Sequence, residues 1–125
     1  MRMKEMILVF LGGGLGSLSR LLVGKFYSAW QPTFPWATLT VNFLSCFLFG
    51  AIMALGIHRI NINYGLKLLF ITGFCGGLST YSAFTFETVE LFKTGHDGWA
   101  FSNIMANFIL SIIGLYLGAL LVRVT

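Results

Sequence analysis

Four long apolar stretches fill most of this chain and decide what it can fold into. They cover residues 6–28, 36–57, 67–92 and 99–122, and each is longer than the roughly 20 residues that a helix needs to cross about 30 Å of hydrocarbon. Only 10% of the residues are charged, whereas soluble domains carry about 25%. The sequence therefore predicts an all-α integral membrane protein in which residues 1–125 form a single domain of four transmembrane helices.

The polar residues exclude most enzyme classes. The segments between the apolar stretches are too short for a soluble catalytic or nucleotide-binding domain. His58 and His96 lie outside the stretches, and no aspartate lies within them, so the usual general base and metal ligand of an intramembrane hydrolase are missing. Cys46 and Cys75 fall inside the stretches, where a thiol generally packs as a small apolar group. We expect no enzyme activity.

The basic residues lie mostly at the ends of the apolar stretches, where they meet lipid headgroups and do not imply nucleic acid. Four crossings place both termini and the second connection on one side of the membrane. That side holds five basic residues: Arg2, Lys4, Arg59, Lys67 and Arg123. The other side holds two, Lys25 and Lys93. The bias predicts that both termini are cytoplasmic. The first stretch is too long for a signal peptide, so we expect it to remain as the first helix.

Glycines stand four residues apart in three of the stretches: Gly12 and Gly16, Gly73 and Gly77, Gly114 and Gly118. This spacing puts two glycines on one helix face and allows a neighbouring backbone to approach closely. The neighbour is either another helix of the same chain or a second subunit. We expect a second subunit at some of these faces, because four tightly packed helices leave no room for a pore within one chain.

The third stretch is unusually long, and residues 76–82 read Gly-Gly-Leu-Ser-Thr-Tyr-Ser. Two glycines and three hydroxyl residues near mid-membrane predict that this helix is broken there. Non-helical backbone at such depth is tolerated where it is buried in protein or lines a polar cavity, and its freed groups can bind ions.

Neutral hydrogen-bond donors and one cation make up the remaining intramembrane chemistry, and such a set suits an anion. The donors considered are Asn42, Ser82, Thr85 and Ser111, with the guanidinium of Arg20. Asn42 either binds the solute or bonds a neighbouring helix, and Arg20 either snorkels to the headgroups or faces a water-filled vestibule. Tyr81 and Phe84 share a helix face, where they either pack ordinarily or present their partially positive ring edges to an anion.

Three segments together resemble the Fluc/CrcB fluoride channel family. They are Gly13-Gly14-Leu15-Gly16 followed by Arg20, then Thr38-Leu39-Thr40-Val41-Asn42 running to Gly50, then the run from Gly73 to Phe84. The resemblance implies a fluoride-selective passive channel that exports fluoride from the cytoplasm through the inner (plasma) membrane. It also implies an antiparallel, dual-topology homodimer with two pores, each built from both chains.

Carried over to this chain, the resemblance assigns the fluoride pore to Asn42 and the ring of Phe84, with Tyr81 where the family has a second phenylalanine. Ser82, Thr85 and Ser111 would continue a polar track beside the rings. Arg20 would line the vestibule, and Glu87 is either near the pore or an interfacial charge. The backbone carbonyls of Gly76 and Ser79 would hold a structural Na⁺ at the dimer interface, since oxygen ligands suit a hard cation.

Two other functions fit a short four-span chain. A proton-coupled multidrug-type exporter needs a membrane-embedded carboxylate in its first helix, and residues 6–28 contain none. A non-transporting assembly subunit would use the glycine faces alone.

Overall fold

The computed structural model describes residues 2–58 and 62–124. Within these residues, four helical stretches are long and apolar enough to cross a membrane: Met3–Ser28, Trp36–Ile57, Tyr64–Lys93 and Asp97–Val124. The prediction of four long apolar helices is therefore confirmed, and these ranges differ from the predicted ones by a few residues at their ends. Arg59, which was counted for the orientation in the membrane, lies outside the described residues.

The third crossing differs from the other three because it is assembled from several helical pieces. The elements in chain order are α1 (Met3–Ser28), α2 (Trp36–His58), α3 (Tyr64–Lys67), a π-helix (Leu68–Cys75), α4 (Gly76–Leu78), α5 (Tyr81–Lys93) and α6 (Asp97–Val124). The pieces from α3 to α4 run without interruption, and the break separates α4 from α5. The predicted broken third helix is thus confirmed, whereas the π-helix was not predicted.

Glycines bring α1 directly against the first half of the third crossing. A β-carbon added at Gly12 would collide with the carbonyl oxygen of Leu69, and one at Gly16 with the carbonyl oxygen of Phe74. From the opposite side, a β-carbon at Gly77 would collide with the carbonyl oxygen of Gly13. The two backbones touch because neither helix carries a side chain at the contact.

A second glycine contact joins α2 to α6. A β-carbon at Gly118 would collide with the carbonyl oxygen of Phe47, and one at Gly50 with that of Leu115. A β-carbon at Gly114 would lie 3.0 Å from both the ring and the carbonyl oxygen of Phe43, which is tight but not a collision. All three glycine pairs identified in the sequence therefore pack within the chain, and the expectation that some of them meet a second subunit is wrong for these faces.

The outer surface of the bundle is apolar. Phe10, Phe86 and Phe108 are 79%, 66% and 67% exposed, which is the reverse of a water-soluble protein, where large apolar side chains fill the interior. Lipid tails are the solvent in which such a surface is stable.

A tight turn connects α5 to α6. Gly95 has a φ of 76°, a left-handed conformation that glycine adopts without steric cost. The N–H of Gly95 donates to the carbonyl of Phe92 at 3.1 Å, and the N–H of His96 donates to that of Leu91 at 2.8 Å. This pair of bonds is a Schellman motif, which satisfies the last carbonyls of α5 and returns the chain as α6.

Candidate functional site

The third crossing loses its helical backbone at Ser79 and Thr80. Ser79 has φ −74° and ψ 156°, and Thr80 has φ −150° and ψ 121°, so both are extended. The Thr80 hydroxyl then caps α5 by accepting a hydrogen bond from the N–H of Ala83 at 3.1 Å, as threonine commonly does at a helix start. The break lies just after the glycine pair, and not at it.

The side chain of Asn42, on α2, supplies hydrogen bonds that Thr80 lacks in the break. Its Oδ1 accepts from the Thr80 N–H at 2.8 Å, and its Nδ2 donates to the Thr80 carbonyl at 3.3 Å. An unpaired backbone group costs several kcal/mol in a membrane interior. Asn42 therefore stabilises the non-helical backbone, in addition to any part it plays in binding a solute.

A second side chain of α2 holds the turn before the break. The hydroxyl of Ser45 donates to the carbonyl of Cys75 at 2.8 Å. The same carbonyl accepts the Ser79 N–H and the Ser79 hydroxyl, both at 3.0 Å. Ser45 and Asn42 are three residues apart and so share one face of α2, which fixes that face against the third crossing.

A cavity of about 570 Å³ opens beside the break. It is lined by Asn42, Cys46, Ser79, Thr80, Tyr81, Phe84, Ile104, Met105, Asn107, Phe108, Ser111 and Ile112. The lining combines a mainly apolar wall with a few amides and hydroxyls, and it contains neither a carboxylate nor a histidine. The fold thus brings four of the six predicted pore residues to one cavity, namely Asn42, Tyr81, Phe84 and Ser111.

The two rings at the start of α5 lie next to each other on the cavity wall. The ring centroids of Tyr81 and Phe84 are 5.6 Å apart and their planes are inclined by 54°. Tyr81 is 80% exposed, whereas Phe84 is half-buried. The predicted shared face is therefore present, and the Tyr81 ring projects from the chain.

Two of the predicted pore hydroxyls do not reach the cavity wall. The hydroxyl of Thr85 donates to the carbonyl of Tyr81 at 2.9 Å, the bond back to its own helix that threonine often makes. The hydroxyl of Ser82 lies 3.3 Å from that of Thr80. Both side chains belong to exposed residues of α5, next to the wall but outside it.

A row of buried amides extends from the cavity into the bundle. Asn42 Nδ2 donates to Asn107 Oδ1 at 2.9 Å, and Asn107 Nδ2 donates to Asn103 Oδ1 at 2.8 Å. Asn103 is 0% exposed, and its Nδ2 donates to the Thr88 hydroxyl at 2.9 Å. Asn103 and Thr88 are not among the residues singled out from the sequence. The signal that points to Asn103 is its spacing of four residues from Asn107 on one face of α6, whereas no sequence pattern points to Thr88.

Glu87 turns towards α2 and does not line the cavity. Its Oε1 accepts the hydroxyl of Thr38 at 2.7 Å, and Thr38 is buried. Its Oε2 is buried without a hydrogen-bond partner. An interfacial charge would instead reach the headgroups, so the geometry favours a location inside the bundle for this carboxyl group.

Arg20 contacts the break from the side of α1. Its Nη1 donates to the carbonyl of Ser79 at 3.4 Å. Arg20 also lines a shallow groove of about 500 Å³ on α1, together with Ser17, Leu21, Gly24, Lys25 and Ser28. The guanidinium thus lies between the break and this groove.

Known proteins resemble this chain over nearly its whole length. The sequence model of the family described as CrcB-like protein, Camphor Resistance (CrcB), matches residues 7–119. This chain belongs to the CrcB family. A fluoride-specific ion channel FluC from Phocaeicola vulgatus is 41% identical over 117 residues, which are 93% of this chain and 96% of the relative. The protein of the same name from Pyrococcus horikoshii is 39% identical over 123 residues, 98% of this chain and 99% of the relative.

The CrcB match covers the whole candidate site. It begins in α1 and ends in α6, and every residue assigned above to pore, vestibule or cation site lies between these limits. The family resemblance read from three short sequence segments is therefore confirmed over the full bundle.

The structural Na⁺ that the CrcB resemblance implies is compatible with the backbone of the break. Gly76 is exposed and Ser79 is half-buried at the edge of the cavity. The Ser79 carbonyl accepts the long, 3.4 Å bond from Arg20, which is weak for a charge-assisted hydrogen bond. Two such carbonyls are oxygen ligands of the kind that a hard cation takes.

Proposed function

We propose that this chain is a fluoride-selective passive ion channel that exports fluoride from the cytoplasm. The observation that carries the proposal is the cavity at the break, which gathers Asn42, Tyr81, Phe84 and Ser111 without a lining carboxylate or histidine. Relatives named fluoride-specific ion channels, which align with more than nine tenths of the chain, support the same function.

The cavity chemistry suits a small anion. Amide N–H groups, a hydroxyl and ring edges can each replace part of a hydration shell. None of these groups carries a full positive charge, so the ion is not trapped, and conduction requires binding weak enough for release. The Arg20 guanidinium at the adjacent groove adds a fixed charge that raises the local anion concentration.

Passive export of fluoride has a simple driving force. The neutral acid HF crosses lipid, dissociates at cytoplasmic pH and leaves behind an anion that needs a protein to cross the bilayer. Such a channel requires no covalent chemistry, and the chain is not an enzyme, in keeping with the ion-channel names of its relatives.

We propose further that the channel is an antiparallel, dual-topology homodimer with two equivalent pores. In the single chain the cavity is open, and Tyr81, Met105 and Phe108 on its wall are 80%, 54% and 67% exposed. A second copy would close the cavity and bring ring edges from both chains to each pore. The glycine faces are already filled within the chain, which favours the cavity face as the interface.

A structural Na⁺ belongs to this proposed dimer. The carbonyls of Gly76 and Ser79 from each chain would together provide four oxygen ligands at the symmetry axis. When bound, the ion would supply a positive charge that holds the two breaks together. The channel would lie in the inner (plasma) membrane as a multi-pass protein.

Efflux from liposomes tests the function. Purified protein is reconstituted in liposomes loaded with fluoride, and efflux is recorded with a fluoride electrode, with a potassium ionophore to relieve charge build-up. We expect fast, electrogenic efflux of fluoride and little efflux of chloride. Efflux that requires a proton gradient would instead favour an exporter of the multidrug type, and no efflux from folded protein would favour an assembly subunit.

The orientation is tested in cells. A tag at the C-terminus should be accessible from both sides of the membrane in comparable amounts if insertion is dual. A tag found on the cytoplasmic side alone would contradict the dual topology and would match the bias of the basic residues.

A further inference from the structure

We infer that Thr88, Asn103 and Asn107 form a polarised row of hydrogen bonds that positions the side-chain amide of Asn42 at the cavity. The role of the row in anion transport rests on the proposed channel function, but the hydrogen bonds of the row are a feature of the fold. Asn107 and Asn42 line the cavity, whereas Asn103 and Thr88 are buried behind it.

The direction of the innermost bond in the row is determined by the Thr88 hydroxyl. The Thr88 hydroxyl donates to the carbonyl of Phe84 at 2.8 Å, and a carbonyl can only accept. The hydroxyl has one hydrogen, so towards Asn103 it must accept. Asn103 therefore presents its N–H₂ group to Thr88 at 2.9 Å and its Oδ1 to the next amide.

The same logic carries the direction outward to the cavity. Asn107 Nδ2 donates to Asn103 Oδ1 at 2.8 Å and to the Asn103 backbone carbonyl at 3.1 Å, and both bonds turn Asn107 Oδ1 towards α2. Asn107 Oδ1 then accepts from Asn42 Nδ2 at 2.9 Å. At the outer end, the Thr80 N–H can only donate, and it donates to Asn42 Oδ1. Both ends of the row thus require the same orientation of the Asn42 amide.

This arrangement has a consequence for anion binding. Both hydrogens of the Asn42 N–H₂ group are engaged, one by the Thr80 carbonyl and one by Asn107 Oδ1. An anion that accepts from Asn42 therefore has to displace one of these two acceptors, the Thr80 carbonyl at 3.3 Å or Asn107 Oδ1 at 2.9 Å. Asn107 presents an acceptor to Asn42, because its own N–H₂ group is held by the backbone carbonyl and by Oδ1 of Asn103, and Thr88 keeps that Oδ1 turned towards Asn107.

The test removes the hydroxyl at the inner end of the row. Thr88→Val keeps the shape of the side chain but can neither accept from Asn103 nor donate to Phe84, whereas Thr88→Ser keeps the hydroxyl. We expect fluoride efflux to fall on the order of tenfold in Thr88→Val, as for the loss of one buried hydrogen bond, and to stay near wild type in Thr88→Ser. Ser19→Ala removes a hydroxyl that bonds Leu15 on α1 and serves as the control outside the row.

A double substitution separates positioning from general damage to the fold. Asn107→Leu interrupts the row nearer the cavity. If Thr88 acts through Asn107, the double variant loses no more efflux than Asn107→Leu alone; two independent structural defects would add. Additive losses, or equal efflux in Thr88→Val and Thr88→Ser, would overturn the inference.

A readout that needs no transport keeps the two proposals distinct. The chain has five asparagines, so selective ¹⁵N labelling gives five side-chain nitrogen signals, each correlated with two hydrogens. We expect the Asn42 side-chain amide to exchange slowly with solvent in wild type and Thr88→Ser, and faster in Thr88→Val. Unchanged exchange refutes the row even if the channel conducts, and changed exchange supports it even if no efflux is found. Thr88→Ala breaks the same bonds and replaces Thr88→Val if that variant does not fold.

Discussion

Asn42 and Thr80 exchange two hydrogen bonds across the break in the third crossing, one from the Thr80 N–H to Asn42 Oδ1 and one from Asn42 Nδ2 to the Thr80 carbonyl. A single amide side chain thus stands in for the backbone partners that an unbroken helix would provide. The same amide lines the cavity. Asn42 therefore both stabilises the break and is positioned to donate a hydrogen bond to an anion.

We predict that Asn42→Ala reduces fluoride efflux roughly 10- to 100-fold, the range expected when a hydrogen bond to a charged group is lost. The variant should also lose thermal stability, because the Thr80 N–H and carbonyl are left without these partners. Efflux and melting are measured on the same preparation. Asn63→Ser is the matched control, since Asn63 Oδ1 caps α3 by accepting from Leu66 and serine preserves a cap. Normal efflux in Asn42→Ala would refute a role of Asn42 in the pore.

We predict that substitutions of the two rings, Tyr81 and Phe84, affect fluoride efflux differently. Tyr81→Phe keeps the ring edge and removes the hydroxyl, so we expect efflux equal to or faster than that of wild type. Phe84→Leu removes the ring edge, and we expect a loss on the order of tenfold or greater. Phe86→Leu is the control, because Phe86 is 66% exposed and does not line the cavity. A fall in efflux for Tyr81→Phe would mean that the Tyr81 hydroxyl itself contacts the ion.

Removal of sodium should weaken the proposed dimer. If carbonyls of both chains share one Na⁺, replacing sodium by potassium or N-methyl-D-glucamine at equal ionic strength lowers the fraction of dimer. The fraction is measured by cross-linking or by single-molecule photobleaching in liposomes. A dimer that is equally stable in all three salts would argue against a structural sodium at Gly76 and Ser79.

Glycine packing gives a prediction about stability that is independent of transport. Gly16→Ala places a β-carbon into the Phe74 carbonyl, whereas Gly14→Ala, two residues earlier on α1, meets nothing within 4 Å. We expect Gly16→Ala to lower the free energy of unfolding on the order of 3 kcal/mol through overpacking. Gly14→Ala should be neutral or slightly stabilising, because alanine is the better helix former. Equal melting of the two variants would show that α1 shifts without cost.

The crossings themselves follow from the sequence because long apolar runs leave the chain few alternatives in lipid. Residues 36–57, predicted from hydrophobicity, match the span Trp36–Ile57. The hydroxyl-rich segment located the break, yet its glycines serve a different purpose, since Gly77 makes room for the backbone of α1. A repeat of small residues predicts that another helix packs closely against that face. It does not predict which helix this is, because that depends on the tertiary fold.

The contacts of Asn103 illustrate what sequence patterns leave out. A single asparagine in an apolar helix has many possible partners, and its bond to Thr88 joins α6 to α5 across the bundle. The π-helix is hidden for a related reason. Its bonding pattern widens the turn, and no residue type or motif in Leu68–Cys75 predicts that change. A helical wheel drawn through this segment with the ordinary period therefore assigns the faces of later residues incorrectly.

The wide turn of Leu68–Cys75 also affects where the chain can lose a residue without disturbing the helices. A bond from residue i to i+5 holds one more residue within its turn than a bond from i to i+4. Deleting one residue there would restore ordinary helix and leave the faces before and after it in register. The same deletion in α1 or α6 would rotate every following side chain by about 100°, since an α-helix has 3.6 residues per turn. Loss of a single residue should therefore be tolerated better in this segment of the membrane interior than in the uniformly α-helical spans.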